Sequence, residues 1–321
     1  MRVLVTGGGG YVGSLLVPDL FAHLHDITVL DWFLYSDPLD WDPRMRSVVA
    51  DLRTLQPRFV ADHDAVIHLA CISNDPSFEL NPTLGRSVNY DATVRLVAMA
   101  KGEGVKRFIY ASSSSVYGVK PDGVDVTEDL ALEPLTDYSK YKAMGEKVVL
   151  YADCKEFTTT VIRPATLCGY APRQRLDLIV NILTTQAVIN QTIPVFGGTQ
   201  RRPNLHVKDM VRAYLAVLEA PAERVAHQVF NVGAENATVL ELAERVQRIC
   251  GGDLKVTETN DPRSYMVNSD KIRRVLGFTP DYTIDEAIYE LRIALLDGRL
   301  PNALTDPIYY NIQQMQTCHI S

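Results

Sequence analysis

Residues 6–13 read TGGGGYVG and run on directly from the apolar stretch MRVLV at 1–5. Glycine costs about 0.5–1 kcal/mol relative to alanine in regular structure, so four in succession where a strand hands over to a helix need a backbone reason. Gly7, Gly10 and Gly13 fit G-x-x-G-x-x-G, and Gly8, Gly10 and Gly13 fit G-x-G-x-x-G. Either spacing turns the chain sharply into a helix, lets the backbone approach a pyrophosphate, and packs that helix closely on a sheet. The N–H groups and dipole at the helix N-terminus then favour negative charge. A glycine motif alone is weak evidence, but this one follows an apolar strand and opens the helical pattern YVGSLLVPDLFAHL. Asp31 ends the next strand pattern, ITVLD, 18 residues after Gly13. An acid there takes both ribose hydroxyls of NAD and repels the 2′-phosphate of NADP. No arginine follows in WFLYSDPLDW at 32–41 to accommodate that phosphate. The expected cofactor is NAD.

Outward from this loop, short apolar runs alternate with longer amphipathic ones: ITVLD, DAVIHLA, GRSVNYDATVRLVAMAKGEG, KRFIYAS, SKYKAMGEKVVLYADC and TTTVIRP. Strand patterns separated by helical ones imply crossover connections and a parallel sheet covered on both faces. The expected fold is α/β, a Rossmann-type doubly wound parallel sheet with a smaller C-terminal substrate domain. Residues 1–165 are assigned to the nucleotide-binding domain and 166–321 mainly to the substrate domain. The strand pattern at 228–232 is a candidate to rejoin the main sheet. The tail from Arg299, containing DPIYYNIQQMQ, has no clear period and reads as a segment draped over the surface or partly disordered.

The 321 residues are 46% apolar and 22% charged, with a net charge of -7 and no run of Lys or Arg. That balance argues against nucleic acid or an anionic membrane as partner and leaves room for a phosphate-bearing small molecule held by a few arginines. No apolar stretch reaches a membrane-spanning length, and MRVLVTG does not open like a secretion signal, so the expected location is cytoplasmic. Five scattered cysteines and seven scattered histidines form no disulfide framework or metal-ligand pattern, and no metal is expected.

The chemistry falls on two stretches. KRFIYA runs into ASSSSVYG at 111–118, and YSKYK at 138–142 places Tyr138 and Lys142 four apart, on one helical face. A tyrosine of ordinary pKa near 10 is about 0.1% ionised at pH 7. Lowering it to neutrality takes about 4 kcal/mol, within reach of a neighbouring Lys⁺ and a cationic nicotinamide together. Tyr138 is then a usable base, and a serine at the strand end can hydrogen-bond the substrate oxygen. YSKYK alone would read as a solvated helix start and the serines alone as a polar turn. Their occurrence together after a nucleotide-binding glycine loop favours a site.

The motifs TGGGGYVG, Asp31, the pair Asp51 and Leu52, HLA at 68–70, Asn89 in VNYDAT, SSSSVYG, YSKYK, RPATLCG, RRPNLHVKD and FNVG together resemble the extended short-chain dehydrogenase/reductase family, particularly its nucleotide-sugar epimerases and dehydratases. The resemblance spans nearly the whole chain. It implies Ser113, Tyr138 and Lys142 as catalytic residues. It implies Gly7, Gly10, Tyr11, Val12, Gly13, Asp31, Asp51, Leu52, Leu69, Ala70 and Asn89, with Tyr138 and Lys142, as residues around NAD. For the substrate it points to Ser114, Ser115, Thr166, Arg173, Arg175, Asn181, Arg202 and Arg263, the last two as diphosphate ligands because the guanidinium fork suits bidentate pairing. It also implies a homodimer joined by a four-helix bundle. In the family's 4,6-dehydratases an Asp and a Glu follow the catalytic hydroxyl residue; here Ser114 and Ser115 stand there, and neither can abstract a carbon-bound proton near neutral pH. Thr166 replaces the usual Asn of R-x-x-N-x-x-G. The segments APRQRLDLIVN and DPRSYMVNSDK look similar to a branch that includes a GDP-heptose 4-dehydrogenase.

The leading expectation is an NAD-dependent nucleotide-sugar epimerase acting at C4, with a nucleotide-diphosphate sugar as its partner. A 4-dehydrogenase retaining NAD is the alternative. A dehydratase or reductase ranks lower, as does a non-catalytic NAD(P) sensor on the same fold, which would have no need of a matched Ser113, Tyr138 and Lys142.

Overall fold

Strict two-residue alternation in the first strand decides the layering. In the computed structural model, which describes residues 1–121, 124–259 and 264–320, strand β1 (Arg2–Thr6) sends Val3 and Val5 into one core and Leu4 into another. Such a strand is buried on both faces, as a parallel sheet requires. Six more strands complete the sheet: β2 (Asp26–Asp31), β3 (Arg46–Val49), β4 (Ala65–His68), β5 (Arg107–Ala111), β6 (Thr158–Pro164) and a late strand at Gln228–Val232. With the later strand numbered β10, after β7 (Thr166–Cys168), β8 (Thr192–Phe196) and β9 (Arg201–His206), the order is β10-β6-β5-β4-β1-β2-β3. All neighbours in it are parallel.

On the Val3/Val5 face lie the helices Gly13–Ala22 and Val207–Glu219, which contribute Leu16, Val17, Leu20, Met210, Tyr214 and Leu218. On the Leu4 face lie Ala92–Gly102 and Asp137–Ala152, with Leu96, Val97 and Val149 packing against Phe108 and Tyr110 of β5. Segment 228–232 therefore runs as the edge strand beside β6, and the 207–219 helix that precedes it packs on the same sheet.

Beyond β6 the chain builds a smaller unit. Strands β11 (Glu235–Thr238), β9 and β7 form a second sheet, and β12 (Asp253–Thr257) pairs with β8. Helices Ile179–Asn190, Val239–Cys250 and Ile284–Leu296 close around Leu183, Val195, Leu242, Val246 and Ile288. In the C-terminal segment Asn311–Thr317 is helical and lies against the cleft between the two units, where the lack of a clear period reads as a surface drape or partial disorder. A helix of only seven residues is held by tertiary partners rather than by its own pattern. Among the described residues no helix is long and apolar enough to cross a membrane.

Candidate active site

A cleft of about 460 Å³ opens at the C-terminal ends of β1, β2, β4, β5 and β6, where open α/β sheets bind their ligands. The glycine loop forms one end, and two of its glycines are sterically fixed. Gly7 sits at φ +78°, and a Cβ there would come within 2.5 Å of the Ala70 backbone nitrogen. A Cβ on Gly13 would meet the Gly8 carbonyl oxygen at 2.4 Å. Gly10 N–H closes the turn on Gly7 O at 3.1 Å. The Asp31 carboxylate accepts the Gly9 and Phe33 N–H groups at 2.9 and 2.8 Å, tying the loop to the end of β2. Burial pushes its carboxyl above the usual range, and these two N–H bonds oppose that shift.

Val12, Leu52, Leu69 and Ala70 line the cleft beside the loop. Tyr11 does too, but its buried hydroxyl is engaged, donating to Gly169 O at 2.6 Å and accepting from Asn181 Nδ2 at 3.2 Å. Asp51 stands behind Leu52: it accepts Arg53 N–H at 2.7 Å and pairs with the Arg53 guanidinium at 2.8 Å. Asn89 also lies behind the wall. Its amide clamps Ile72 through both backbone groups, at 2.8 and 2.9 Å, and so shapes the loop after β4.

At the other end the reacting groups converge. Helix Asp137–Ala152 begins with a reciprocal cap between Thr136 and Ser139 and buries Tyr138 and Lys142 on one face. Ser113, at the exit of β5, caps a short turn by accepting Ser115 N–H at 3.1 Å and faces Ser115 Oγ at 2.8 Å. All three line the cleft. A buried chain of polar groups fixes their relation. Glu146, one helical turn after Lys142, accepts Arg163 Nε and Nη2 at 2.9 and 2.6 Å and the Ser112 hydroxyl. Arg163 Nη1 donates to the Tyr117 hydroxyl at 2.7 Å, which donates to Asn231 at 2.7 Å. Strands β5, β6 and β10, the serine turn and the Tyr138 helix are thereby joined.

Burial and the groups around it set the electrostatics of Tyr138. Burial raises the phenol well above its ordinary value, and Cys71 and Asp75 add to the rise; Arg175 and a hydrogen bond with Ser113 oppose it. Lys142 Nζ donates to Ala111 O at 2.7 Å and lies over the Tyr110 ring, 5.1 Å from its centroid. Within the chain, Arg175 is a cation that favours the phenolate.

Among the substrate candidates, Ser114, Ser115, Thr166, Arg173, Arg175 and Arg202 line the cleft. Ser114 Oγ lies 3.3 Å from the Tyr265 hydroxyl. Arg175 donates to Asp177 at 3.0 Å and to Ser73 at 3.2 Å. Asn181 does not reach the cleft: fully buried, it accepts Gly169 N–H at 3.0 Å and donates to Arg175 O at 2.8 Å, shaping the 169–175 loop from behind. Arg263 lies outside the described residues. Arg173 is buried on the cofactor side, with its N–H on Ser14 Oγ at 3.3 Å and its guanidinium over Tyr35. Burial, with Arg175 close by, pushes its pKa down to about 10. Sequence reading missed Tyr265, Asp177, Asn311 and Met315, all cleft-lining. Only tertiary contacts bring them there, and no local spacing marked them.

The donor set fits a dinucleotide. The glycine cradle leaves no room for side chains, Leu52, Leu69 and Ala70 form an apolar shelf, and an acid ends β2. Arg173 Nε and Arg175 Nη2 are buried with no hydrogen-bond partner among the described residues. Buried donors of this kind call for an anion.

Residues 3–233 match the family described as "NAD dependent epimerase/dehydratase family". Over 90% of this chain and 95% of the relative, the sequence is 29% identical to a UDP-glucose 4-epimerase of Lactobacillus helveticus. Over 90% of this chain and 91% of the relative, it is 30% identical to a dTDP-glucose 4,6-dehydratase of Streptomyces niveus. Among solved structures, MoeE5 in complex with UDP-glucuronic acid and NAD superposes with a TM-score of 0.83 at 26% identity, covering 93% of this chain and all of that one.

Proposed function

This chain belongs to the NAD-dependent epimerase/dehydratase family, and from that premise we propose that it is a nucleotide-sugar 4-epimerase that keeps its NAD through the catalytic cycle. The observation that carries this reading is the wall around Ser113. The hydroxyl and phenol needed to oxidise a sugar alcohol are present, and the two positions after Ser113 are serines, where dehydration at C5 and C6 needs an acid and a base. The other carboxylates of the wall are committed elsewhere: Asp31 holds the glycine loop, Asp177 pairs with Arg175, and Asp75 accepts the Thr136 hydroxyl.

In the proposed reaction Tyr138 takes the proton from the C4 hydroxyl while Ser113 orients that oxygen. NAD, when bound, accepts the C4 hydrogen as hydride and later gives it back. After the 4-keto sugar turns over, so that the hydride returns to the opposite face of C4, Tyr138 gives the proton back to the C4 oxygen. Arg175 stabilises the phenolate. Arg202 and Arg175 face the sugar nucleotide's diphosphate, and Thr166 touches the sugar. A homodimer belongs to the same reading, supported by the exposed Val94, Met144 and Tyr151 on the helices Ala92–Gly102 and Asp137–Ala152.

The test is to incubate the protein, with no NAD added, with UDP-, dTDP- and GDP-hexoses and follow the sugars by NMR. A mixture of C4 epimers is expected from at least one of them. A 4-keto sugar formed in an amount equal to the bound NAD, with that NAD left reduced, would replace the reading with a 4-dehydrogenase, and a 4-keto-6-deoxy sugar would replace it with a dehydratase.

A further inference from the structure

The segment 307–320 covers part of the cleft that no glycine-loop or catalytic motif accounts for. Its helix places Asn311 and Met315, one turn apart and both buried, on the cleft wall, with Ile320 following. Met315 packs on Ile72, Leu84 and Val88 beside Trp32 and Leu34, the residues just after Asp31. Gln314 Nε2 fastens the same helix to Leu34 O at 2.7 Å.

Asn311 is the hub. Its Oδ1 accepts Arg173 Nη2 at 2.7 Å, its Nδ2 donates to Ser73 Oγ at 2.9 Å, and its backbone N–H donates to Asp177 at 3.2 Å. Arg173 reaches from there to the cofactor side: its N–H meets Ser14 Oγ, in the first turn of the glycine-loop helix, and its guanidinium covers Tyr35 at 3.8 Å from the ring centroid. Arg173 is part of the cleft wall, and its Nε is buried without a hydrogen-bond partner among the described residues. A desolvated guanidinium donor beside a helix N-terminus is an anion ligand.

We propose that Arg173, Asn311 and the helix Asn311–Thr317 form a strap across the cofactor half of the cleft, with Arg173 holding the diphosphate of NAD and the helix blocking its escape. This deepens the epimerase reading and rests on it only in that an epimerase requires a retained cofactor. Because the strap's contacts run to the loops after β2 and β4, release of NAD requires Met315 to leave its apolar seat and Asn311 to break three hydrogen bonds.

The test uses the full-length protein loaded with NAD and measures exchange against isotope-labelled NAD, with the bound nucleotide released by denaturation and weighed by mass spectrometry. Asn311→Ala, Met315→Asp and Arg173→Gln are each expected to accelerate exchange about tenfold or more. Gln316→Ala, on the exposed side of the same helix, is expected to exchange like the wild type. Melting curves confirm that each variant is folded, and Asn311→Ala, the smallest change, carries the test if Met315→Asp is not. Unchanged exchange in Asn311→Ala and Arg173→Gln would overturn the strap, as would a wild-type protein that exchanges as fast as they do. If Arg173→Gln kept its NAD and only raised KM for the nucleotide sugar, the guanidinium would belong to the substrate's diphosphate and the strap would likewise be overturned. A wild-type protein that holds NAD but epimerises no sugar would defeat the epimerase reading and leave the strap standing.

Discussion

Replacing Tyr138 by phenylalanine removes one oxygen from a buried ring and little else. The ring sits edge-on to Phe78, with centroids 6.5 Å apart, and phenylalanine keeps that contact. Loss of the hydroxyl is therefore expected to change stability by no more than about 1 kcal/mol, a few degrees in melting temperature at most. Its kinetic effect is far larger. Bringing a phenol from its ordinary pKa near 10 to neutrality takes about 4 kcal/mol. Here burial, Cys71 and Asp75 push Tyr138 further up, so Arg175, Ser113 and the bound ligands must offset more than that. A site that arranges this stabilisation around one oxygen loses it when the oxygen is removed. A general base contributes about 10²–10⁴ in rate, or about 2.7–5.5 kcal/mol of barrier. We therefore expect kcat/KM of Tyr138→Phe to fall by about 10²–10⁴ while bound NAD and melting temperature stay near wild type. The assay is epimer formation followed by NMR, alongside NAD released on denaturation. Tyr141→Phe is the control: that ring stacks on Phe78 at 5.7 Å, lies off the cleft wall, and should retain activity. Tyr138→Phe turnover within tenfold of wild type, with NAD still bound, would refute the assignment of the base.

Glu146→Gln leaves the buried Arg163 guanidinium without its counter-charge, at an expected cost of about 3–5 kcal/mol. Calorimetry should show melting about 6–20 °C lower, with much of that recovered when Glu146 and Arg163 are both replaced by methionine. Gly13→Ala drives a Cβ into the Gly8 backbone, so about 1–3 kcal/mol of overpacking should appear as lost bound NAD and a lower melting temperature; full NAD occupancy would contradict the tight-turn argument. The third concerns pH. His68 is enclosed between Thr6 Oγ1 at 2.7 Å and Thr93 Oγ1 at 2.9 Å, and burial, reinforced by Lys142, pushes its pKa down to about 3. Because the unfolded imidazole, near 6.5, binds its proton first, His68 contributes full stability above pH 6.5 and loses it as pH falls toward 3, by up to about 1.4 kcal/mol per pH unit. Denaturant melts of wild type and His68→Gln between pH 7 and 4.5 should show a shallower decline in the variant; parallel slopes would remove His68 from the acid response.

What could be read from the sequence was what repeats locally. The glycine spacing, Asp31 at a strand end, and Tyr138 with Lys142 at i, i+4 are each set by the geometry of a single strand, turn or helix, so their positions follow from counting residues. Asparagines 89, 181 and 311 show where counting stops. All three carry the same amide and all three are buried. The resemblance assigned the first to the cofactor and the second to the substrate, whereas neither lines the cleft and both amides fix loop backbones. The third, in a tail without period, is the one on the wall.

An amide's role depends on what faces it, and Asn311 faces Ser73, 238 residues earlier in the chain. No window of sequence contains that pair. The same limit applies to Arg175. Helical spacing placed Lys142 on the face of Tyr138, where both are buried. The Arg175 charge that reaches the phenol comes from a loop after β7, which only the packing of the smaller unit against the sheet brings across the cleft. A site built at the junction of two units has its reactive group set by one of them and part of its electrostatics by the other. The unit that carries Arg173, Arg175 and Asn311 is therefore where variation among such enzymes in cofactor retention and phenol acidity should be sought.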